Sequence, residues 1–290
     1  MTRFTRLALA AALVAGVAAP AFATPVVIQN PYVKAGVSDY GTLGSNGGTP
    51  PGILFDPTGT SNYGNNDFLT PGDPFEGFYI TSSAGGAGAN NDGNNGFGLG
   101  SPTALSPTSA SWTGTSGAYT VTNTYTLTTA NARSEIAIHT SITNTSGADI
   151  SGLQFLRTLD PDPDVNNFGS YFTNNTVVNP STACGTGPDS GQTICITTAD
   201  NDFAHLAGVS ASWSQTPADY LAGLNDGNGD YAIGLAFDIG NLAAGQTVSL
   251  DYSYAAGASI SVVTVPEPAN VALMLAGLGL VGFVARRRRV

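Results

Sequence analysis

Basic residues are nearly missing from the middle of this sequence. Of nine lysines and arginines, Arg3 and Arg6 lie at the start and Arg286, Arg287, Arg288 and Arg289 at the end. Only Lys34, Arg133 and Arg157 fall between, against all twenty acids. With no basic surface to neutralise phosphates, the composition argues against a nucleic-acid partner. Catalytic signatures are missing as well: there is no G-x-S-x-G, P-loop or H-E-x-x-H pattern. The two histidines, His139 and His205, stand without a partner motif. No internal stretch shows helical periodicity with caps, which disfavours helical architectures.

What is present begins with an export signal. Arg3 and Arg6 precede an apolar run from Leu7 to Ala19, Pro20 ends it, and Ala21-Phe22-Ala23 is a small-x-small cleavage site. Residues 1–23 therefore read as a signal peptide, with the mature chain starting near Thr24. In an exported chain the two cysteines, Cys184 and Cys195, are expected to form a disulfide across the turn-rich "GTGPDSGQTI". The acidic body favours cations as counter-ions, calcium in particular.

Residues 24–109 are loop-rich, with "GSNGGTPPG", "SNYGNND", "TPGDPFEGF" and the run "SAGGAGANNDGNNGFGLGSP". Gly, Asn and Pro at this density specify turns and exposed loops. Residues 110–265 are regular. In "AYTVTNTYTLTT", Tyr119, Val121, Tyr125 and Leu127 share one face, and Thr120, Thr122, Thr124, Thr126 and Thr128 the other. In "TVSLDYSYAA", Val248, Leu250, Tyr252 and Tyr254 oppose Thr247, Ser249, Asp251 and Ser253. Alternation of period two in β-favouring residues, broken by Gly/Asn/Asp turns, predicts an all-β antiparallel sandwich.

The sharpest acidic cluster is "DPDPDVNNFG". Prolines restrain the backbone on both sides of Asp162, and alternate side chains of an extended segment share a face. Asp160, Asp162 and Asp164 are thus expected to converge on one cation, for which calcium suits oxygen-only donors. The competing reading is a solvated acidic turn, since Val165 and Tyr171 stand where an EF-hand loop needs Gly and Glu. "NDGNGD" at Asn225 to Asp230 has a similar flavour but reads first as a tight turn. "DSG" at Asp189 lacks the second such triplet that aspartic-protease chemistry needs. A solvent-facing Trp112 or Trp213 beside Asn and Asp side chains would favour sugar binding.

The chain ends "VPEPANVALMLAGLGLVGFVARRRRV". The apolar run from Val271 to Ala285 spans about 22 Å as a helix, short of a hydrocarbon core of about 30 Å. The arginines that follow fit a cytoplasmic end. Pro266-Glu267-Pro268, an apolar transmembrane helix and the cluster Arg286, Arg287, Arg288 and Arg289, in that order over residues 266–290, closely resemble the PEP-CTERM sorting signal. The pieces "LQFLRTLDPDPD" and "GLAFDIGNLAAGQTVSLDYSY" resemble the sandwich region of other PEP-CTERM proteins. The resemblance implies recognition of the Pro-Glu-Pro motif by an exosortase and removal of the helix. It also implies an inner-membrane intermediate, a final place on the outer surface or in the extracellular matrix of a Gram-negative bacterium, and association with exopolysaccharide or biofilm. The expectation is a non-enzymatic surface or matrix protein. The alternative is a carbohydrate-binding or glycan-processing sandwich, distinguished by a cleft with convergent carboxylates beside exposed aromatics.

Overall fold

The computed structural model describes residues 25–44, 51–69, 75–91, 96–98, 100–130 and 133–258. The expected signal peptide, the Pro266-Glu267-Pro268 motif, the apolar tail helix and the terminal arginines lie outside the described residues. Among the described residues, no helix is long and apolar enough to cross a membrane.

The loop-rich part supplies β1 (Val26–Gln29), β2 (Val33–Val37), β3 (Ile53–Phe55), β4 (Glu76–Ser82), β5 (Gly85–Asn90) and β6 (Thr103–Ser106). The regular part follows with β7 (Ser109–Ser116), β8 (Tyr119–Ala130), β9 (Arg133–Asn144) and β10 (Ile150–Leu159). After the short helix α1 (Val165–Phe168) come β11 (Asn174–Asn179), β12 (Thr182–Thr186), β13 (Gln192–Thr197) and β14 (Ala204–Ser210). Helix α2 (Pro217–Leu221), β15 (Ala232–Leu242) and β16 (Thr247–Ala258) complete the described chain.

An eight-stranded sheet, ordered β11-β12-β13-β16-β9-β8-β7-β6, packs on a five-stranded sheet, ordered β14-β15-β10-β4-β5. A three-stranded sheet, β1-β2-β3, stands beside them. Neighbouring strands are antiparallel throughout the named pairs. The alternation read from the sequence decides which side faces in. Val121, Tyr125, Ile138, Leu250 and Tyr254 are buried, and they meet Phe78, Phe155, Leu235 and Phe237 from the smaller sheet. Side chains of this kind removed from water drive the two layers together. The intervening threonines and serines point outward and pair across strands, as in Thr113–Thr122 at 2.8 Å and Thr143–Thr247 at 2.8 Å.

Two close approaches depend on glycine. Gly41 has φ +71°, and a Cβ there would lie 2.3 Å from the Trp112 ring. The turn can thus press into the sandwich, where the Asp39 carbonyl accepts the Trp112 indole N–H at 2.8 Å and the Gly41 carbonyl accepts the Tyr125 hydroxyl at 2.6 Å. On the outer face of the five-stranded sheet, Tyr220 of α2 lies over Gly208 and Gly234, which leave a slot that any Cβ would close. Helix α2 is too short to show periodicity in the sequence, and Pro217 at its first turn is its local signal.

Candidate cation site and outer-face groove

Strand β10 delivers the chain to Asp160, whose N–H donates to the Phe75 carbonyl at 3.0 Å; the Asp162 N–H donates to the Phe68 carbonyl at 2.8 Å. The extended geometry ends at Asp164, which has φ −100° and ψ −10° and caps α1. Its carboxylate therefore leaves the shared face. It accepts the N–H groups of Asp189 at 2.8 Å and Ser190 at 3.1 Å, securing the β12–β13 turn. Asp230, from the loop before β15, stands with Asp160 and Asp162 instead. One carboxylate oxygen from each of these three residues lies within 4.8 Å of the others. The structure thus joins two of the three acids expected from the "DPDPD" run to a third that the sequence placed in a separate turn.

That turn is fixed by its other members. Asp226 accepts the Ala211 N–H at 2.8 Å, and Asn228 accepts the Asn175 N–H at 2.8 Å. Thr173 and Gly229 form an isolated antiparallel bridge. Asp160 is only 7% exposed. Burial, and secondly the charge of Asp230, push its carboxyl up to about 7, against a hydrogen bond from Trp213. Burial also raises the Asp230 carboxyl. Oδ1 of Asp160 is buried without a hydrogen-bond partner. Trp213 is held at φ +50° and is 41% exposed, whereas Trp112 is buried. Phe168, Tyr171 and Phe172 are also exposed, on the segment leading from Asp164 to Thr173.

A second feature lies on the outer face of the eight-stranded sheet. A groove of about 1350 Å³ is floored by β8, β9, β13 and β16 and walled by residues 178–182 and 198–202. Its lining is rich in hydroxyls and includes Glu135, Asp200, Asp202 and Asp251, with no lysine or arginine. Glu135 accepts the Ser253 hydroxyl. His139 Nδ1 lies 2.8 Å from Asp251 Oδ1, and its Nε2 lies 3.3 Å from the Ser141 hydroxyl. The connectivity is that of a Ser-His-Asp set, but Ser141 sits within β9, between the ladders to β8 and β16. Those ladders engage the neighbouring N–H groups that an oxyanion would need. His205 lies apart, with Nε2 at 2.8 Å from the Ser181 hydroxyl.

Cys184 and Cys195 form a disulfide. They stand directly opposite one another in the β12–β13 hairpin, whose turn is the segment expected between them. Asp189 lies in that turn, where its main-chain N–H donates to Asp164.

Sequence reasoning missed an ion pair inside the sandwich. Glu76 and Arg157 are fully buried, with Arg157 Nε donating to Glu76 Oε1. Glu76 also accepts the Leu43 N–H at 2.7 Å and the Tyr254 hydroxyl at 2.8 Å. Burial raises the Glu76 carboxyl, and Arg157 opposes the shift. The guanidinium lies 5.6 Å from the ring centroids of both Phe78 and Tyr125. The available signal was a lone arginine within the apolar strand "LQFLRTL".

A comparison with curated proteins finds no significant match. Among solved structures, a candidate aldose 1-epimerase from Escherichia coli K12 is 11% identical, with a TM-score of 0.44 over 81% of this chain and 98% of that one. A galactose mutarotase-like protein from Lactobacillus casei ATCC 334 is 12% identical, with a TM-score of 0.44 over 80% and 99%. A polysaccharide lyase is 9% identical, with a TM-score of 0.36 over 83% of this chain and 33% of that one. At these scores the similarities assign neither a fold family nor a chemistry. Residues 264–289 match the PEP-CTERM protein-sorting motif, so this chain carries the signal for export, membrane-associated sorting and exosortase processing.

Proposed function

We propose that the mature body is a non-enzymatic cell-surface or matrix module that binds an uncharged, polyhydroxylated stretch of exopolysaccharide along the outer-face groove. The lining of that groove carries the reading. Carboxylates accept pairs of hydroxyl hydrogens, and serine and threonine hydroxyls both donate and accept, which suits a polyol. Four acids without a lysine or arginine repel anionic polymers. The sorting motif supports this reading, since it implies export of the body. The signal peptide and the tail serve only the journey, through an inner-membrane intermediate.

Retention on the host's own exopolysaccharide and on a glycan array tests this reading. Retention that falls about tenfold in Glu135→Gln/Asp251→Asn supports it. No retention on any neutral glycan overturns it, and turnover of the polymer replaces it with a glycan-processing role. Mass spectrometry of the surface form tests the sorting step. Loss of the segment after the Pro-Glu-Pro motif is expected, and a C-terminus still at Val290 overturns processing.

A further inference from the structure

Most buried carboxylates in the described residues already have donors. Asp67 accepts the N–H groups of Gly52, Ile53 and Leu69. Asp56 accepts from Thr58, Thr60 and Asn62. Asp164 holds a turn, and Glu76 has Arg157. Asp160 differs from all of these. It is more than nine-tenths buried, and its Oδ1 accepts no hydrogen bond. Its neighbours, Asp162 and Asp230, add two more acids at ligand spacing.

We infer that Asp160, Asp162 and Asp230 form a calcium site. An unsatisfied buried carboxylate oxygen is costly, and a cation removes that cost together with the repulsion among the three acids. The donors are all oxygen, with no imidazole or thiolate among them, which selects a hard cation over zinc or copper. They come from two separate loops and leave the Asp230 side partly open to solvent. Calcium accepts such an irregular set and completes it with water, whereas magnesium demands a near-ideal octahedron. Trp213, hydrogen-bonded to Asp160, places a spectroscopic reporter against the site. The site stands apart from the outer-face groove and does not depend on the polymer reading.

The test is a calcium chloride titration of the full chain at neutral pH, followed by tryptophan fluorescence and by thermal unfolding, with EDTA and magnesium chloride in parallel. Calcium is expected to give a saturable fluorescence change. It should also raise Tm by roughly 5–10 °C at about a hundredfold excess over Kd. Asp162→Asn and Asp230→Asn should abolish both responses, yet melt in EDTA at or above the wild-type temperature, which separates lost binding from lost folding. Equal Tm in EDTA and excess calcium with unchanged fluorescence overturns the site, as does a response that survives in both variants. A Tm that rises on acidification but not with calcium also overturns it, because a shared proton then satisfies the cluster. An equal response to magnesium overturns the assignment to calcium.

Discussion

Two regions of this molecule bury acids, and they do so in opposite ways. Between the sheets, Glu76 is matched within the chain: an arginine, a tyrosine hydroxyl and a backbone N–H all converge on it. At the end of β10, Asp160 meets other acids and keeps an oxygen without a donor. Burial raises the carboxyl in both places, so depth alone does not separate a structural acid from one poised for a ligand. The neighbouring donors do. Asp164, four residues from Asp160, makes the same point inside one motif, because two N–H groups settle it.

Removing one partner of the interior pair should have the largest effect. Arg157→Met leaves Glu76 without its counter-charge and should lower stability by about 3–5 kcal/mol in urea unfolding. Glu76→Gln/Arg157→Met should regain part of that loss. A double variant no more stable than Arg157→Met alone would place the energy in arginine packing instead of charge.

Within the acidic run, Asp164→Ala strips two N–H groups of their acceptor and should cost about 1–3 kcal/mol. Asp162→Asn measured beside it in EDTA should cost nothing. Equal losses at the two positions would erase the distinction between a turn anchor and a cation ligand.

The pH dependence sharpens the comparison further. Asp160 titrates at about 7 in the folded chain and near 3.9 when unfolded. Between these values the folded state holds the extra proton, so stability falls as pH rises from about 4 to about 7. The slope from this group is at most about 1.4 kcal/mol per pH unit. Asp67, which burial raises to about 6, adds a fall of the same sign up to that pH. Asp160→Asn should flatten the profile between pH 6 and 7, and a profile unchanged in this variant would remove Asp160 as its source. A small effect is also expected on the exposed sheet face. Asp251→Asn should shift stability by less than about 0.5 kcal/mol, and a larger loss would make His139–Asp251 a structural pair.

The sandwich was legible because a strand writes its two faces in alternate letters. Tyr119, Val121 and Tyr125 oppose Thr120, Thr122 and Thr124 in the sequence as they do in β8. The cysteine pair was legible because its partners flank a single turn. Membership of the acidic site was only half legible. Proline alternation placed Asp160 and Asp162 together, but Asp164 turns into α1 and its carboxylate is taken by the N–H groups of residues 189 and 190, far along the chain. Asp230 arrives from another loop altogether, and spacing within one motif carries no information about that. The Glu76–Arg157 pair was hidden for the same reason. It joins β4 to β10, and strand patterns do not state which strands become neighbours.

The order of the larger sheet has a consequence for folding. Strand β16 is the last described strand, yet it lies inside the sheet, between β13 and β9. Its partner register runs from Thr247 against Thr143 to Ala256 against Ser134, so β8, β9 and the disulfide hairpin cannot join into one sheet until it arrives. A chain that emerges from its N-terminal end therefore holds its central seam open, and the layer closes only when residues near 258 have followed. Completion of this layer is therefore a late event, tied to the last strand described.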